Sequence, residues 1–315
     1  MKIAIYTIAK DEAENVERFM NSCQEADEVV VLDTGSKDDT VKLFKEKGAR
    51  VEQKIIEPWR FDTARNEALK MVSEDIDVCI SLDLDEELQK GWRAKLEQAW
   101  KNDLDYLSCL LLDKGTTSFR PRIHRRHGYK WINAVHELPV PHDGREPKTG
   151  VCDVTIKHCS ESENNYEPIL TQLIERGEAT ADTYVQRAAE WMDQKEWDKA
   201  LMDIDKSIEL SDDSPRGRRR KAFAHLDKAK IFKEKDNHYE IIRELLRAVA
   251  ESPETREPWI YLADAYNALG NYPMAYGAGY TGLNIINRPI GATEDICWSE
   301  YPKKLVDEAY KKIIS

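Results

Sequence analysis

EDIDVCISLDLDEEL, residues 74 to 88, decides the fold: a short apolar run ends abruptly in a block of carboxylates, Asp83, Asp85, Glu86 and Glu87. The block is either a metal site or a solvated loop of an acidic protein. Residues 76–82 predict a buried strand, and upstream KIAIYTI (2–8), DEVVVLD (27–33) and ARVEQK (49–54) predict others. Between them EAENVERFMNSCQ (12–24), DDTVKLFKEKG (38–48, closed by Gly48) and DTARNEALKMV (62–72) carry helical patterning. Alternating strands and helices make a mainly parallel sheet whose right-handed crossovers bring the carboxyl ends of the strands to one edge. Asp33 and Asp83 both follow strands, so both are expected at the crevice along that edge, where open α/β sheets bind ligands.

From about residue 165 the rhythm is wholly helical. In WIYLADAYNALGNYPMAYGAGYTGL (259–283), Trp259, Leu262, Ala263, Tyr266, Tyr272 and Ala275 fall where a tetratricopeptide helix pair places its packing residues. EWDKALMDIDKSIEL (196–210) and HYEIIRELLRAVAESP (238–253) read as second helices of similar units. Their leading aromatics Trp197, Tyr239 and Tyr272 stand 42 and 33 residues apart, so the middle unit is irregular. Small residues let paired helices approach and aromatics fill the groove, which makes these positions core. The polar connector CSESENNYEP (159–168) sets the expected boundary, giving domains 1–164 and 165–315.

With 315 residues, 41% of them hydrophobic, the chain can furnish two cores. A formal net charge of −12 opposes wholesale attraction to nucleic acid or an anionic membrane. The basic run RGRRRKAFAHLDKAK (216–230) reads as an exposed charged helix face, with a phosphate-contacting surface as the alternative. Six cysteines lie scattered without a CxxC pair and read as buried reduced thiols. The amino-terminal apolar stretch is too short for a signal peptide or anchor, and no window approaches a membrane span, so a cytoplasmic protein is expected.

Asp-x-Asp by itself is weak, since it occurs at Asp75/Asp77, Asp83/Asp85, Asp103/Asp105 and Asp203/Asp205. The last pair is expected on a solvated helix face. Only Asp83/Asp85 directly follows a predicted buried strand. A hard divalent cation needs oxygen ligands, and Mg²⁺ takes one or two protein carboxylates and completes its shell with phosphates and water. Glu86 and Glu87 read as favouring the start of a following helix and stay outside the metal shell.

TIAKDEAEN after a strand, then VVVLDTGSKDDT, FDTARNEAL and ISLDLDEEL, come in an order that resembles the family 2 glycosyltransferases of the GT-A fold. The resemblance covers residues 1 to about 160. It implies an α/β nucleotide-diphospho-sugar-binding domain, here followed by the all-α tetratricopeptide-like domain. It further implies that Thr7 and Asp33 line the nucleotide pocket, that Arg65 contacts the base or diphosphate, that Asp83 approaches the ribose or metal, and that Asp85 is the principal metal ligand. Asp39 stands where the family's phrase has glycine, and Leu84 where it has a smaller residue. Downstream, FRPRIHRRHGYKWINAVHELPV (119–140) holds a W-x-x-x-V-H-E stretch similar to one near the acceptor in such enzymes, and VTIKHCSE (154–161) supplies a strand ending in histidine. By that resemblance Glu137 is a general base with His136 beside it as a second catalytic candidate, and His158 completes the metal shell; both histidines also read as structural.

What the resemblance implies is a glycosyltransferase using Mn²⁺ or Mg²⁺ and a nucleotide-sugar donor, a UDP-sugar foremost, with inversion at the anomeric carbon. The acceptor hydroxyl or thiol belongs to a peptide or protein, a saccharide, or a modified DNA base. The repeats bind the acceptor, make a homodimer, or brace the catalytic domain. The competing reading is an interaction protein whose first domain is a silent remnant.

Overall fold

The computed structural model describes all residues except 102, 114, 115, 136, 146, 160–164 and 289–293, and the backbone alone of 116 and 117. The chain divides into two compact units, Met1–Asn164 and Asn165–Ser315.

The first unit runs β1 (Ile3–Ala9), α1 (Val16–Ser22), β2 (Glu28–Asp33), α2 (Thr40–Glu46), β3 (Arg50–Gln53), α3 (Phe61–Met71), β4 (Val78–Ser81), β5 (Glu86–Leu88) and α4 (Trp92–Ala99). It continues as β6 (Tyr106–Asp113), β7 (Thr116–Arg125), β8 (Tyr129–Ile132), β9 (Leu138–Pro141) and β10 (Thr149–His158). Eight strands form one sheet in the order β3-β2-β1-β4-β7-β6-β10-β5, with β8 and β9 in a separate ribbon. The β3-β2-β1-β4 half is parallel throughout, as the alternation predicted. β7 then runs antiparallel to both β4 and β6.

Period-2 alternation along β1 explains how both faces of the sheet are covered. Ile3 and Ile5 pack with Phe19, Phe44, Trp92 and Leu96, while Ala4 and Tyr6 pack with Ala68, Leu69 and Met71 of α3. Ile3 to Thr7 are thereby all buried, on one side or the other, and β1 reads as a near-continuous apolar run.

Four sequence readings need correction, the first being that Tyr239 is core, since it is 75% exposed. The first helix is shorter than expected because residues 11 to 13 are used by a loop: Asp11 is left-handed at φ 55°, and the Glu12 and Ala13 amides donate to Thr40 Oγ1 at 2.8 Å and Asp38 Oδ2 at 3.1 Å. Glu86 and Glu87 do not open a helix. They lie in β5, and α4 begins later, after Gly91 at φ 80°. Asp203 is not solvated either: it is buried, and Arg187 forks onto it at 2.7 and 2.8 Å.

The second unit contains α5 (Glu167–Glu175), α6 (Ala181–Asp193), α7 (Trp197–Leu210), α8 (Pro215–Glu234), α9 (His238–Glu251), α10 (Arg256–Ala268), α11 (Tyr272–Leu283) and α12 (Tyr301–Ile314). α8 is the lengthened helix of the irregular middle unit, at 20 residues. Leu226, Leu245, Leu262, Ala263 and Ala278 form one core, and Ala188, Ala200, Ile204 and Ile231 another. Gly279 and Gly282 of α11 sit so close to Val306 and Ile260 that an added methyl would lie 2.6 and 2.7 Å from them. That spacing is the close helix approach small residues permit.

The basic run lies on α8 and is largely neutralised within the unit. Arg216 and Arg220 pair with Asp182, Lys221 with Asp213, and Lys228 with Asp205. Among the described residues, no helix is long and apolar enough to cross a membrane.

Candidate active site

The site is built where the parallel strands end. Asp33, the last residue of β2, is fully buried, and its carboxylate accepts from the Gly35 amide at 3.2 Å, the Ser36 amide at 3.1 Å and Gln53 Nε2 at 3.2 Å. Gly35 has φ 116°, a backbone conformation that favours glycine and lets the turn fold back onto the acid. Thr7 is buried in β1 and donates to the Ile8 carbonyl at 3.3 Å.

Arg65 projects from α3 beneath this edge and is 3% exposed. All three of its nitrogens donate: Nε to Glu137 Oε1, Nη1 to Ser81 Oγ at 3.0 Å, and Nη2 to Asp83 Oδ1 at 2.6 Å. Its face lies over the Trp131 ring, 5.3 Å from the centroid. Asp83 receives a second guanidinium, Arg122 Nη2, on Oδ2 at 2.7 Å, and Arg122 also reaches Glu86 Oε1 at 2.6 Å. Burial opposes the charge on Asp83, but Arg122 and Arg65 outweigh it and hold the carboxyl well below its ordinary range. Burial works against both guanidiniums as well, yet the carboxylates around them keep them firmly protonated. Glu86 goes the other way: burial, then the Asp83 anion, lift it despite Arg122.

Asp85 faces outward to a different partner. Its Oδ2 lies 3.1 Å from His158 Nε2 at the end of β10, and the other ring nitrogen, Nδ1, lies 3.1 Å from Asp113 Oδ1 at the end of β6. Burial disfavours the imidazolium, but Asp113 and Asp85 together raise the pKa of His158 above its ordinary value.

Beneath the site runs a buried chain of donors. Trp131 Nε1 donates to Tyr6 Oη at 2.6 Å, and Tyr6 Oη and His124 Nε2 are 2.7 Å apart. His124 Nδ1 is 2.7 Å from the Arg125 carbonyl, which can only accept. Nδ1 therefore carries the proton, and Nε2 accepts from Tyr6. Asn66, next to Arg65, clamps the Trp131 backbone with two bonds of 2.9 Å. The W-x-x-x-V-H-E segment is thus fastened to α3 from two directions.

Of the residues expected from sequence, Arg65, Asp83 and Glu137 are in direct contact, and Asp85 and His158 are in direct contact. Among the described residues no hydrogen bond joins Thr7 or Asp33 to either group. His136 lies outside the described residues. Sequence reasoning missed Arg122, Ser81 and Asp113, and gave Glu86 to the start of a helix instead of to this cluster. The signal for Arg122 was strand pairing: Ile80 opposes Ile123, so the residue beside Ile123 stands next to the end of β4 and its acids.

No group of three or more His, Cys, Asp or Glu able to hold a metal occurs among the described residues. Asp85 with His158 is nevertheless a fitting partial shell for Mg²⁺ or Mn²⁺, which keep sites for phosphate and water, and Asp113 behind the imidazole is the orienting partner such a histidine requires. Asp83, with both oxygens on guanidiniums, is the poorer ligand.

The Glycosyl transferase family 2 model matches residues 4–174, more than half of the chain, and the chain belongs to that family. Its first unit is a GT-A-type domain, and its second is all-helical, with α6 packed on α7, α8 on α9 and α10 on α11. The chain is 33% identical over 129 residues to an uncharacterized glycosyltransferase of Rickettsia bellii, covering 39% of this chain and 42% of that protein. It is 36% identical over 104 residues to a TPR repeat-containing protein of Synechococcus elongatus, covering 31% and 25%. The matches span less than half of those relatives' own length. Among solved structures, the Sgt2 TPR domain from Aspergillus fumigatus aligns at 18% identity and a TM-score of 0.32, covering 42% of this chain and 78% of that one.

Proposed function

We propose that the protein transfers a sugar from a nucleotide-sugar donor, foremost a UDP-sugar, to an acceptor hydroxyl or thiol, with inversion at the anomeric carbon. The observation that carries the reading is the Arg65 fork, which ties Asp83 at the end of β4 to Glu137 of the W-x-x-x-V-H-E segment. One guanidinium thus couples the donor side of the crevice to the acceptor side, and a direct displacement needs both held in register.

In that displacement the acceptor oxygen or sulfur forms a bond to the anomeric carbon as the carbon–oxygen bond to the diphosphate breaks. Glu137 takes the acceptor proton, and the bonding electron pair leaves with the nucleoside diphosphate. Arg65 fixes the Glu137 carboxylate toward the acceptor. Asp83, clamped between Arg65 and Arg122, is set to accept from donor hydroxyls. Asp33 and Thr7 border the nucleotide pocket, with Asp33 toward the base. Asp85 and His158 would hold the Mn²⁺ or Mg²⁺, which supplies charge neutralisation for the departing diphosphate.

The test is a thermal-shift panel of UDP-, GDP-, CMP- and dTDP-sugars, each with Mn²⁺ and with EDTA, on wild type and Asp85→Ala. Metal-dependent stabilisation by one donor, abolished in the variant, is expected. Equal responses with EDTA and in Asp85→Ala would remove the metal assignment, and no response to any donor would remove the transferase reading.

A further inference from the structure

The first unit holds a cavity of about 380 Å³ that sugar transfer does not use. Its walls come from three places: Asn66 and Lys70 of α3, Arg126 and His127 of the turn after β7, and Lys130 and His142 of the β8–β9 ribbon. Asn66 and Lys70 are one helical turn apart and share a face of α3. In the ribbon Lys130 opposes Val140 and Tyr129 opposes Pro141, and the His142 amide donates to the Gly128 carbonyl at 2.9 Å. Lys130 and His142 are therefore diagonal neighbours on one face, with Tyr129 turned to the other. The Arg126 amide donates to the Asp77 carbonyl at 3.2 Å. Asp77 stands just before β4 and Asp83 beyond its end, so Arg126 lies at the opposite end of that strand from the candidate active site.

The charge of the lining is one-sided. Five of the nine lining residues are nitrogen bases and none is an acid, in a chain whose formal net charge is −12. Arg126 is buried, and its Nε and Nη2 donate to the Val72 carbonyl at 3.1 and 2.7 Å, a neutral partner that leaves the charge in place. Glu74 lies 3.4 Å from Arg126 Nη2 and 3.7 Å from His127 Nδ1, but it is 84% exposed and water screens its field. Lys70 shares the Glu67 carboxylate with Lys54. Among the described residues, no hydrogen bond or ion pair engages the Lys130 ammonium or the His142 ring. A concave surface lined by one sign of charge concentrates the opposite ion.

We propose that this cavity is an anion site whose occupant is a phosphate dianion, free or as the head of a small phosphomonoester. Arg126 offers a fixed guanidinium, and Lys70 and Lys130 flank it as mobile point charges. Cations supplied from a helix, a turn and a ribbon surround a tetrahedral group, whereas a planar carboxylate presents only two oxygens to them. The volume is at the small end of ligand pockets, which keeps the occupant small. The negative field of the whole chain works against a polynucleotide. Neither Asp85 nor Glu137 is needed, so the site stands apart from the transferase reading.

The experiment titrates the full chain, labelled with ¹³C at histidine Cε1, in EDTA at constant pH and ionic strength. The probes are inorganic phosphate, glycerol phosphate, acetate and a short DNA duplex. The resonances of His142 and His158 are assigned through His142→Gln and His158→Gln. A saturable shift at His142 with phosphate or glycerol phosphate is expected, without one at His158. An ester bound at least as tightly as phosphate names a phosphomonoester, and phosphate bound more tightly names the free ion. Lys130→Gln, at an exposed position, should weaken the binding about tenfold or more, and Lys130→Arg should retain it. No saturable shift at His142, an equal response to acetate, or full affinity in Lys130→Gln overturns the proposal. A response to the duplex alone gives the cavity to a polynucleotide and overturns it as well. So does a phosphate response at His158 in place of His142, which puts the anion in the candidate active site.

Discussion

Arg65 Nη2 and Asp83 Oδ1 meet at 2.6 Å across the floor of the crevice, and the same guanidinium holds Glu137. Replacing Arg65 by Met leaves Glu137, only 10% exposed, without its cation, whereas Asp83 keeps Arg122. Breaking a buried pair by removing one partner costs about 3–5 kcal/mol. Urea unfolding should show a loss of that order. Arg65→Lys should recover part of the stability and little of the donor affinity, because an ammonium cannot reproduce the three-way fork. Recovery of both by lysine would reduce Arg65 to a point charge.

Asp113 Oδ1 lies 3.1 Å from His158 Nδ1, the ring nitrogen turned away from Asp85, and so fixes the ring of His158. Asp113→Asn should weaken Mn²⁺ binding by about 10–100-fold, the usual cost of losing an orienting partner behind a histidine ligand. Isothermal titration with Mn²⁺ and UDP gives the number. Unchanged affinity would place His158 outside the metal shell.

The contrast between these two acids and Arg122 marks how far the sequence could be read. The strand before Asp83 was legible because an apolar run ending in acids has one simple explanation in an α/β pattern, and Asp33 was legible for the same reason. The hairpin of β6 and β7 was not, because FRPRIHRR alternates without obvious apolar periodicity and its cations hide the strand signal. Arg122, Ser81 and Asp113 were therefore out of reach, since each matters only through pairing between β4, β7, β6 and β10. Asp203 was misread for a related reason: its burial depends on Arg187, a residue on another helix.

His124 gives the first unit a pH dependence. It is fully buried, and burial pushes its pKa down to about 4 from an ordinary 6.5. Between those values the unfolded chain binds a proton that the folded chain refuses, so stability falls as pH drops through 6.5 and the loss is complete near 4. The difference corresponds to about 3 kcal/mol. Urea unfolding of wild type and His124→Gln should diverge by that amount between neutral pH and pH 4, with the variant losing less. Parallel curves would mean that the imidazole can protonate in place.

The basic run of α8 should not confer DNA binding. Arg216 and Arg220 are engaged by Asp182, Lys221 by Asp213 and Lys228 by Asp205, so fewer counterions remain to be released on contact with phosphate. Duplex DNA retention should be negligible at physiological salt, and neutralising Arg218, Arg219 and Arg220 together should change nothing. A steep salt dependence lost in that triple variant would restore the modified-base acceptor.

Glu244 is the anion on which α8 and α9 converge. It is completely buried and accepts from His225 Nδ1 at 2.7 Å, Arg247 Nη1 at 2.8 Å and Arg243 Nη2 at 3.2 Å, with Lys228 Nζ 4.0 Å away. Burial raises the cost of its charge, but His225, Lys228 and Arg243 more than offset it, and the pKa is held down to about 2 against an ordinary 4.5. The sign is the same as for His124, but the cause is the reverse: cations favour a charge here, whereas burial excludes one there. A depressed carboxylate contributes stability that is complete above pH 4.5 and is lost as pH falls toward 2, because the unfolded chain takes up the proton first. Amide exchange in α8 and α9 should accelerate through that window in wild type. In Glu244→Gln it should be fast already at neutral pH, since the cations then face a neutral amide, and it should show no further acid step from this position. If the variant keeps slow exchange at pH 7, the anion is dispensable and the helix pair is held by Leu226 and Leu245 alone.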